Sequence, residues 1–174
     1  MRNASGSAIL TIAPFWGRRN ASAPERMAAA IFRMFSVYGA GLRKQLPWEL
    51  GGKLLRGSGP VELFGTGGET RDFFAVTDAA RAIVTLASTP HPSPLIVNGG
   101  TGVATTVADF ATGFAEALKV SREIRFTGQA RTGDPQHFCA DITRMKSLGL
   151  EASVSLRQGL PAYAGWLRSI ASKI

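Results

Sequence analysis

The chain has 174 residues, 45% of them hydrophobic and 18% charged, which suits a globular protein long enough for one domain with a substantial core. Its single cysteine, Cys139, excludes an internal disulfide, and its two histidines, His91 among prolines and His137 alone, provide no metal-ligand spacing. A net charge of +8 suits an anionic partner, but no basic run exceeds two residues and no zinc spacing or aromatic RNA-binding motif accompanies it, so a small anion is favoured over nucleic acid.

In chain order, residues 1–28 come first and read as a poorly ordered leader. Met1 to Pro24 carries Arg2, Arg18 and Arg19 but no acid, and its apolar stretch Ile9 to Trp16 is interrupted by Pro14. Ala21-Ser22-Ala23 imitates a cleavage site, yet the arginines before it argue against a secretory signal. No apolar run approaches the roughly 20 residues of a membrane span, so no membrane association is predicted; the expected location is cytoplasmic. Ala30 to Phe35 reads as a buried strand and Gly39-Ala40-Gly41 as a turn. Leu46 to Leu55 reads as a helix, with Pro47 tolerated in its first turn.

Val61 to Phe64 and Phe73 to Val76 read as two strands around a glycine-rich loop, Gly65-Thr66-Gly67-Gly68, that leads to Arg71. Glycine lets the backbone turn sharply and lets a ligand come close, and a guanidinium beside such a loop can donate two parallel hydrogen bonds to an oxyanion. The alternative is a plain hairpin whose arginine is solvated or paired with Asp72 or Glu69. Asp78 is expected to cap a helix running to Ala87, with Ala79, Ile83, Leu86 and Ala87 on one face. Thr89 to Pro94 is a proline-rich loop and Leu95 to Asn98 a strand. Thr106 caps a helix whose apolar stripe is Val107, Phe110, Ala111, Phe114 and Leu118. Glu123 to Phe126 is a strand, Cys139 reads as a buried inert thiol, and Thr143 to Leu148 and Leu156 to Ile170 read as helices. This alternation predicts an α/β fold with small mixed sheets.

Several segments together resemble one family. They are Arg33 to Gly39, Leu63 to Asp78, Ile96 to Gly102, Arg131-Thr132-Gly133-Asp134-Pro135, and Ala140 to Gly149 followed by Ser155 to Trp166, in that order. They are similar to the NAD-dependent epimerase/dehydratase family of extended short-chain dehydrogenases, which act on nucleotide-diphosphate sugars. The resemblance implies that residues 29–174 are the C-terminal, substrate-binding part of an extended Rossmann-type fold, with residues 1–28 unmatched. By the same resemblance Arg71 and Arg131 meet the diphosphate and Asp134 a ribose hydroxyl. Ser36 lies near the sugar-phosphate, and Leu63 and Phe64 pack against the base. Asp134 before Pro135 can equally organise its own turn, and Leu63 and Phe64 can equally be core. Ala40 stands where relatives usually have proline and Ala75 where many have histidine or tyrosine.

The family's other half has no counterpart. No glycine-x-x-glycine-x-x-glycine fingerprint precedes Arg33, so NAD, the family's cofactor, lacks its usual pyrophosphate site. The family's proton-exchanging tyrosine has a lysine four residues on. Tyr38 is followed at that distance by Leu42 and Tyr163 by Leu167. Two expectations follow. The chain is either the substrate half of an epimerase/dehydratase that is inactive alone and needs a chain supplying the cofactor half, or a non-catalytic nucleotide-sugar-binding remnant. With the sheet's other strands missing, self-association through an exposed edge is expected.

Overall fold

A computed structural model describes residues 8–12, 29–89, 94–129 and 133–171. It is an α/β structure, as the alternation predicts. The elements in chain order are β1 (Ala8–Ile12), β2 (Ala30–Met34), β3 (Ser36–Tyr38), α1 (Gln45–Leu55), β4 (Val61–Leu63), β5 (Thr70–Arg71), β6 (Phe73–Ala75) and α2 (Val76–Ser88). They continue with β7 (Leu95–Gly99), β8 (Thr105–Thr106), α3 (Val107–Ala117), β9 (Ile124–Phe126), β10 (His137–Phe138), α4 (Thr143–Ser147) and α5 (Leu156–Ser169). Among the described residues ten strands form four small sheets, ordered β1-β2-β7, β10-β5-β8, β3-β6 and β4-β9.

The run from Ala30 to Tyr38 serves two sheets. Its first half, β2, pairs in parallel with β7. At Phe35 the neighbours change: the Phe35 N–H donates to Gly99 O at 3.0 Å, and the Ser36 N–H to Asp72 O at 3.0 Å. Its second half, β3, then pairs in parallel with β6. On the other side of β2 runs β1, antiparallel, with all five residues in register from Ala8–Met34 to Ile12–Ala30. Part of the expected leader is therefore a strand, and it covers the β2 edge that the sequence reading left open. Residues 1–7 and 13–28 of that leader lie outside the described residues.

Two cores flank β6. Side chains alternate across a strand, so Phe73 and Phe74 point to opposite sides. Phe73 joins the larger core of Tyr38, Leu50, Leu63, Phe110, Phe114, Tyr163 and Leu167. Phe74 joins the smaller one of Phe32, Ala79, Ala82, Leu86, Val97 and Met145. A ladder of rings runs through the larger core: Phe73 stacks on Phe110 at 4.0 Å, Phe114 on Tyr163 at 5.3 Å, and Tyr163 on Trp166 at 5.7 Å between centroids. The predicted stripe of α3 is buried throughout, and the Thr106 hydroxyl accepts the Asp109 N–H at 3.0 Å as the predicted cap.

Three expectations change. Asp78 does not cap α2, whose N-cap is Ala75; it lies in the first turn, fully buried. There its carboxylate accepts the N–H groups of Ser153 and Val154, both at 2.9 Å, and the Ser153 hydroxyl at 2.8 Å. Cys139 is exposed rather than buried. Partial burial pushes its thiol pKa up, and the Asp72 charge adds to that. The two-residue strands β5, β8 and β10 carry no periodicity of their own and were not foreseen. They exist because Thr70 and Arg71 pair with His137 and Phe138 on one side and with Thr105 and Thr106 on the other.

Candidate functional site

A cavity of about 380 Å³ opens where the start of β3, the start of α1, the loop after β4, β5 and the loop before β10 meet. Its apolar wall includes Phe35, Leu63, Phe73, Val107 and Phe138. Phe35 and Phe138 stack at 4.3 Å, which closes one side of that wall. Ser36, Glu69, Arg71, Asp134 and Gln136 supply polar groups, and Gln45, Glu49 and Lys53 face it from α1.

Of the residues expected to bind, Ser36, Leu63, Phe64, Arg71 and Asp134 all line this one cavity. Arg131 lies outside the described residues. Leu63 meets both expectations at once, being a core residue and part of the cavity wall. Phe64, by contrast, is 49% exposed.

Arg71 is half-buried, and its position is fixed by the chain around it. Its Nη1 donates to Thr70 O at 2.9 Å and to Pro135 O at 2.6 Å, which ties β5 to the loop carrying Asp134. The Thr70 N–H reinforces that tie by donating to Gln136 O at 2.9 Å. Burial lowers the Arg71 pKa, and the charges of Asp134 and Glu69 work against that shift. The guanidinium stays charged regardless.

Arg71 forms no salt bridge with either neighbouring acid, contrary to the alternative weighed from the sequence, because both carboxylates are committed to other donors. Asp72 is fully buried and accepts the N–H groups of Thr101 at 2.8 Å, Gly102 at 2.9 Å and Ala140 at 3.2 Å, and the Thr101 hydroxyl at 2.6 Å. Glu69 accepts the N–H groups of Thr66 at 2.8 Å and Gly67 at 2.9 Å. The Thr66 N–H is the main cause that holds the Glu69 carboxyl below the usual range, against the effect of burial.

The glycine loop therefore offers a ligand less than its composition suggests. Its other two N–H groups are also engaged, Gly68 with Thr66 Oγ1 at 3.1 Å and Gly65 with Gln129 O at 2.8 Å. The first N–H groups of α3, on Val107 and Ala108, donate to the carbonyls of Glu69 and Gly67. Neither the loop nor that helix start has free donors for a dinucleotide pyrophosphate, so the described residues do not fit NAD at this place.

The two tyrosines fit proton exchange no better. Tyr163 is buried with its hydroxyl donating to Leu42 O at 3.1 Å, and burial raises its pKa. Tyr38 is buried and its pKa is pushed up to about 12, first by burial and then by the Asp78 charge. Among the described residues no cluster of three metal-ligating side chains occurs, and no helix is long and apolar enough to cross a membrane.

The sequence reading missed Gln45, Glu49, Lys53, Glu69 and Gln136. For the three on α1 a signal was available: a polar residue every fourth position marks one helix face. Gln45 also carries a left-handed backbone, with φ 64°, at the first residue of α1.

Residues 15–100 match the family model described as "NAD dependent epimerase/dehydratase family". The match begins inside the segment expected to be unmatched. The chain is 32% identical over 144 residues to a dTDP-L-rhamnose 4-epimerase of Burkholderia thailandensis, covering 79% of this chain and 39% of that one. A crystal structure of UDP-glucose 4-epimerase with UDP-glucose from Thermotoga maritima superposes with a TM-score of 0.71 at 28% identity, covering 80% of this chain and 46% of that one. A UDP-glucuronic acid 4-epimerase from Bacillus cereus, in complex with UDP-glucuronic acid and NAD, superposes with a TM-score of 0.72 at 25% identity, covering 80% and 45%. The chain thus spans less than half the length of the curated relatives it matches.

Proposed function

Because the chain is a partial relative of the NAD-dependent epimerase/dehydratase family, similar to less than half of a nucleotide-sugar epimerase, we propose that it is the C-terminal, substrate-binding part of such an enzyme. Its ligand is a nucleotide-diphosphate sugar, bound in the cavity between α1 and β5, and its location is cytoplasmic. The observation that carries this reading is Arg71. It is a half-buried cation fixed to two carbonyls at the wall of a cavity that also presents the exposed ring of Phe64 and the carboxylate of Asp134. Arg71 takes the diphosphate, Asp134 a ribose hydroxyl, Ser36 the sugar-phosphate, and Leu63 with Phe64 the base. Arg131 is proposed as a second phosphate contact.

In this reading the 174 residues alone neither hold NAD nor turn a substrate over. The engaged loop amides and the buried, high-pKa tyrosines support that. Activity would need a separate chain carrying the cofactor fingerprint and the tyrosine–lysine pair. The same observations favour a second reading, a nucleotide-sugar-binding remnant without catalysis.

Titration with UDP, followed by NMR, tests the binding. Each charge-assisted phosphate contact is worth about 1.5–3 kcal/mol, so affinity in the millimolar to high micromolar range is expected. It should weaken with added salt. Arg71→Ala should weaken it by roughly 10- to 100-fold. Shifts that avoid Thr70, Arg71 and Gly133–Gln136, or an unchanged affinity in Arg71→Ala, would overturn the site. Epimerisation of UDP-glucose with added NAD by the purified chain would overturn its inactivity.

A further inference from the structure

The glycine loop after β4 is built like an anion site, yet an anion of the chain itself fills it. Gly65 and Gly67 adopt left-handed backbones, with φ 92° and 85°. Such alternation turns successive N–H groups to one side and makes a concave nest of donors that suits an oxyanion. Here the Thr66 and Gly67 N–H groups both point at Glu69, one to each carboxylate oxygen, at 2.8 and 2.9 Å. The Thr66 hydroxyl adds a third contact at 3.2 Å. The fit is close: a Cβ on Gly65 would stand 2.7 Å from Glu69 Oε1, so even alanine there would collide with the carboxylate. Glu69 is buried, lies two residues from Arg71, and lines the same cavity.

We propose that Glu69 is a resident anion that fills the amide nest of the glycine loop, closes it to external phosphate, and leaves Arg71 as the loop's contact for a phosphorylated ligand. The last part rests on the function proposed above; the filling and closing of the nest do not. A phosphate approaching the Thr66 and Gly67 amides meets a carboxylate already at hydrogen-bond distance, and like charges so close repel strongly at a site shielded from water. At Arg71 the same ligand meets a cation whose Nη1 alone is used by carbonyls among the described residues. Glu69 thus selects which donors of the loop a phosphate can reach. It is a positioning residue for the anion, acting through the amides it occupies.

The role separates from the loop's part in folding. The contacts of the loop with α3 run through the backbone carbonyls of Gly67 and Glu69, which any side chain at position 69 retains. Backbone amide NMR of the full chain with inorganic phosphate reads the nest directly. In the native sequence the Thr66 and Gly67 amides should not move. In Glu69→Ala they should move with added phosphate and saturate in the millimolar range, at least about tenfold tighter than in the native chain. Glu69→Gln, which keeps one acceptor oxygen but no charge, should gain part of that response.

Phosphate-dependent shifts at Thr66 and Gly67 in the native chain would overturn the proposal whether or not the variants fold. So would a folded Glu69→Ala whose amides ignore phosphate. The Arg71 side-chain resonance under UDP is a separate readout: if it stays still while the nest opens in Glu69→Ala, the proposed function fails and the resident anion stands.

Discussion

The Tyr38 hydroxyl is the one buried side-chain polar atom among the described residues without a hydrogen-bond partner. It abuts Gly159 of α5, where a Cβ would overlap it. An unsatisfied buried donor costs about 1–3 kcal/mol, so Tyr38→Phe should stabilise the fold by ~1 kcal/mol in urea unfolding. A loss of similar size would instead mean that the hydroxyl has a partner, such as a buried water. Gly159→Ala should destabilise, and Tyr38→Phe in that background should recover part of the loss. Equal losses from Gly159→Ala in both backgrounds would show that the hydroxyl is not what excludes a side chain there. No acid of its own segment pairs with Arg71. Glu69 and Asp72, which flank it in sequence, give their lone pairs to backbone N–H groups instead.

Between elements, the carboxylate of Asp78 links α2 to the start of α5. It accepts three hydrogen bonds from Ser153 and Val154 and pairs with Arg81 at 2.6 Å. Two residues later the Ser155–Gln158 capping box begins α5. Asp78→Asn puts an NH2 group against donors at this junction and should cost about 2–4 kcal/mol, measured by chemical denaturation. A loss below 1 kcal/mol would mean that the junction repacks. The acid response follows from the same groups. Burial raises the Asp78 pKa, but the N–H groups of Val154 and Ser153, the Ser153 hydroxyl and Arg81 together hold it below the usual value. The Glu69 pKa is also lowered, chiefly by the Thr66 N–H. With folded values below the unfolded ones of about 3.9 and 4.3, the unfolded chain takes up protons first. This stabilisation is full above those values and is lost as pH falls through the lower folded values. Unfolding free energy should stay level down to about pH 5 and fall below about pH 4, with a shallower fall in Asp78→Asn/Glu69→Gln. An equal slope in that variant would place the acid sensitivity elsewhere.

For the whole molecule, the decisive contact is the one between β1 and β2. It makes β2 the central strand of its sheet, so the edge expected to be open is covered by the chain itself. Removing residues 1–28 should uncover that edge, because an unpaired strand is a template for another chain. The shortened protein should sediment as larger species than the full chain at equal concentration. The same distribution for both would mean that β1 contributes nothing to protection. The division into two cores by Phe73 and Phe74 also places the cavity: it lies against the larger core, whose ring ladder supports the wall formed by Phe73.

The sequence by itself determined the α/β alternation and the α3 stripe with its Thr106 cap, whereas the set Ser36, Leu63, Phe64, Arg71 and Asp134, which lines one cavity, was implied by the family resemblance of its ordered segments. Periodicity and capping are local, so they survive in a single chain read alone. Tertiary structure decided where the lone pairs and N–H groups went. Asp72 finds Thr101 and Ala140, 29 and 68 residues away, and Asp78 finds Ser153, 75 residues away, so no local pattern could announce either role. Thr66 and Glu69 are only three residues apart, but glycine permits backbones of either hand, and only the packed loop fixed which way its amides face. The two-residue strands and the exposure of Cys139 have the same cause: each depends on which distant segment lies alongside.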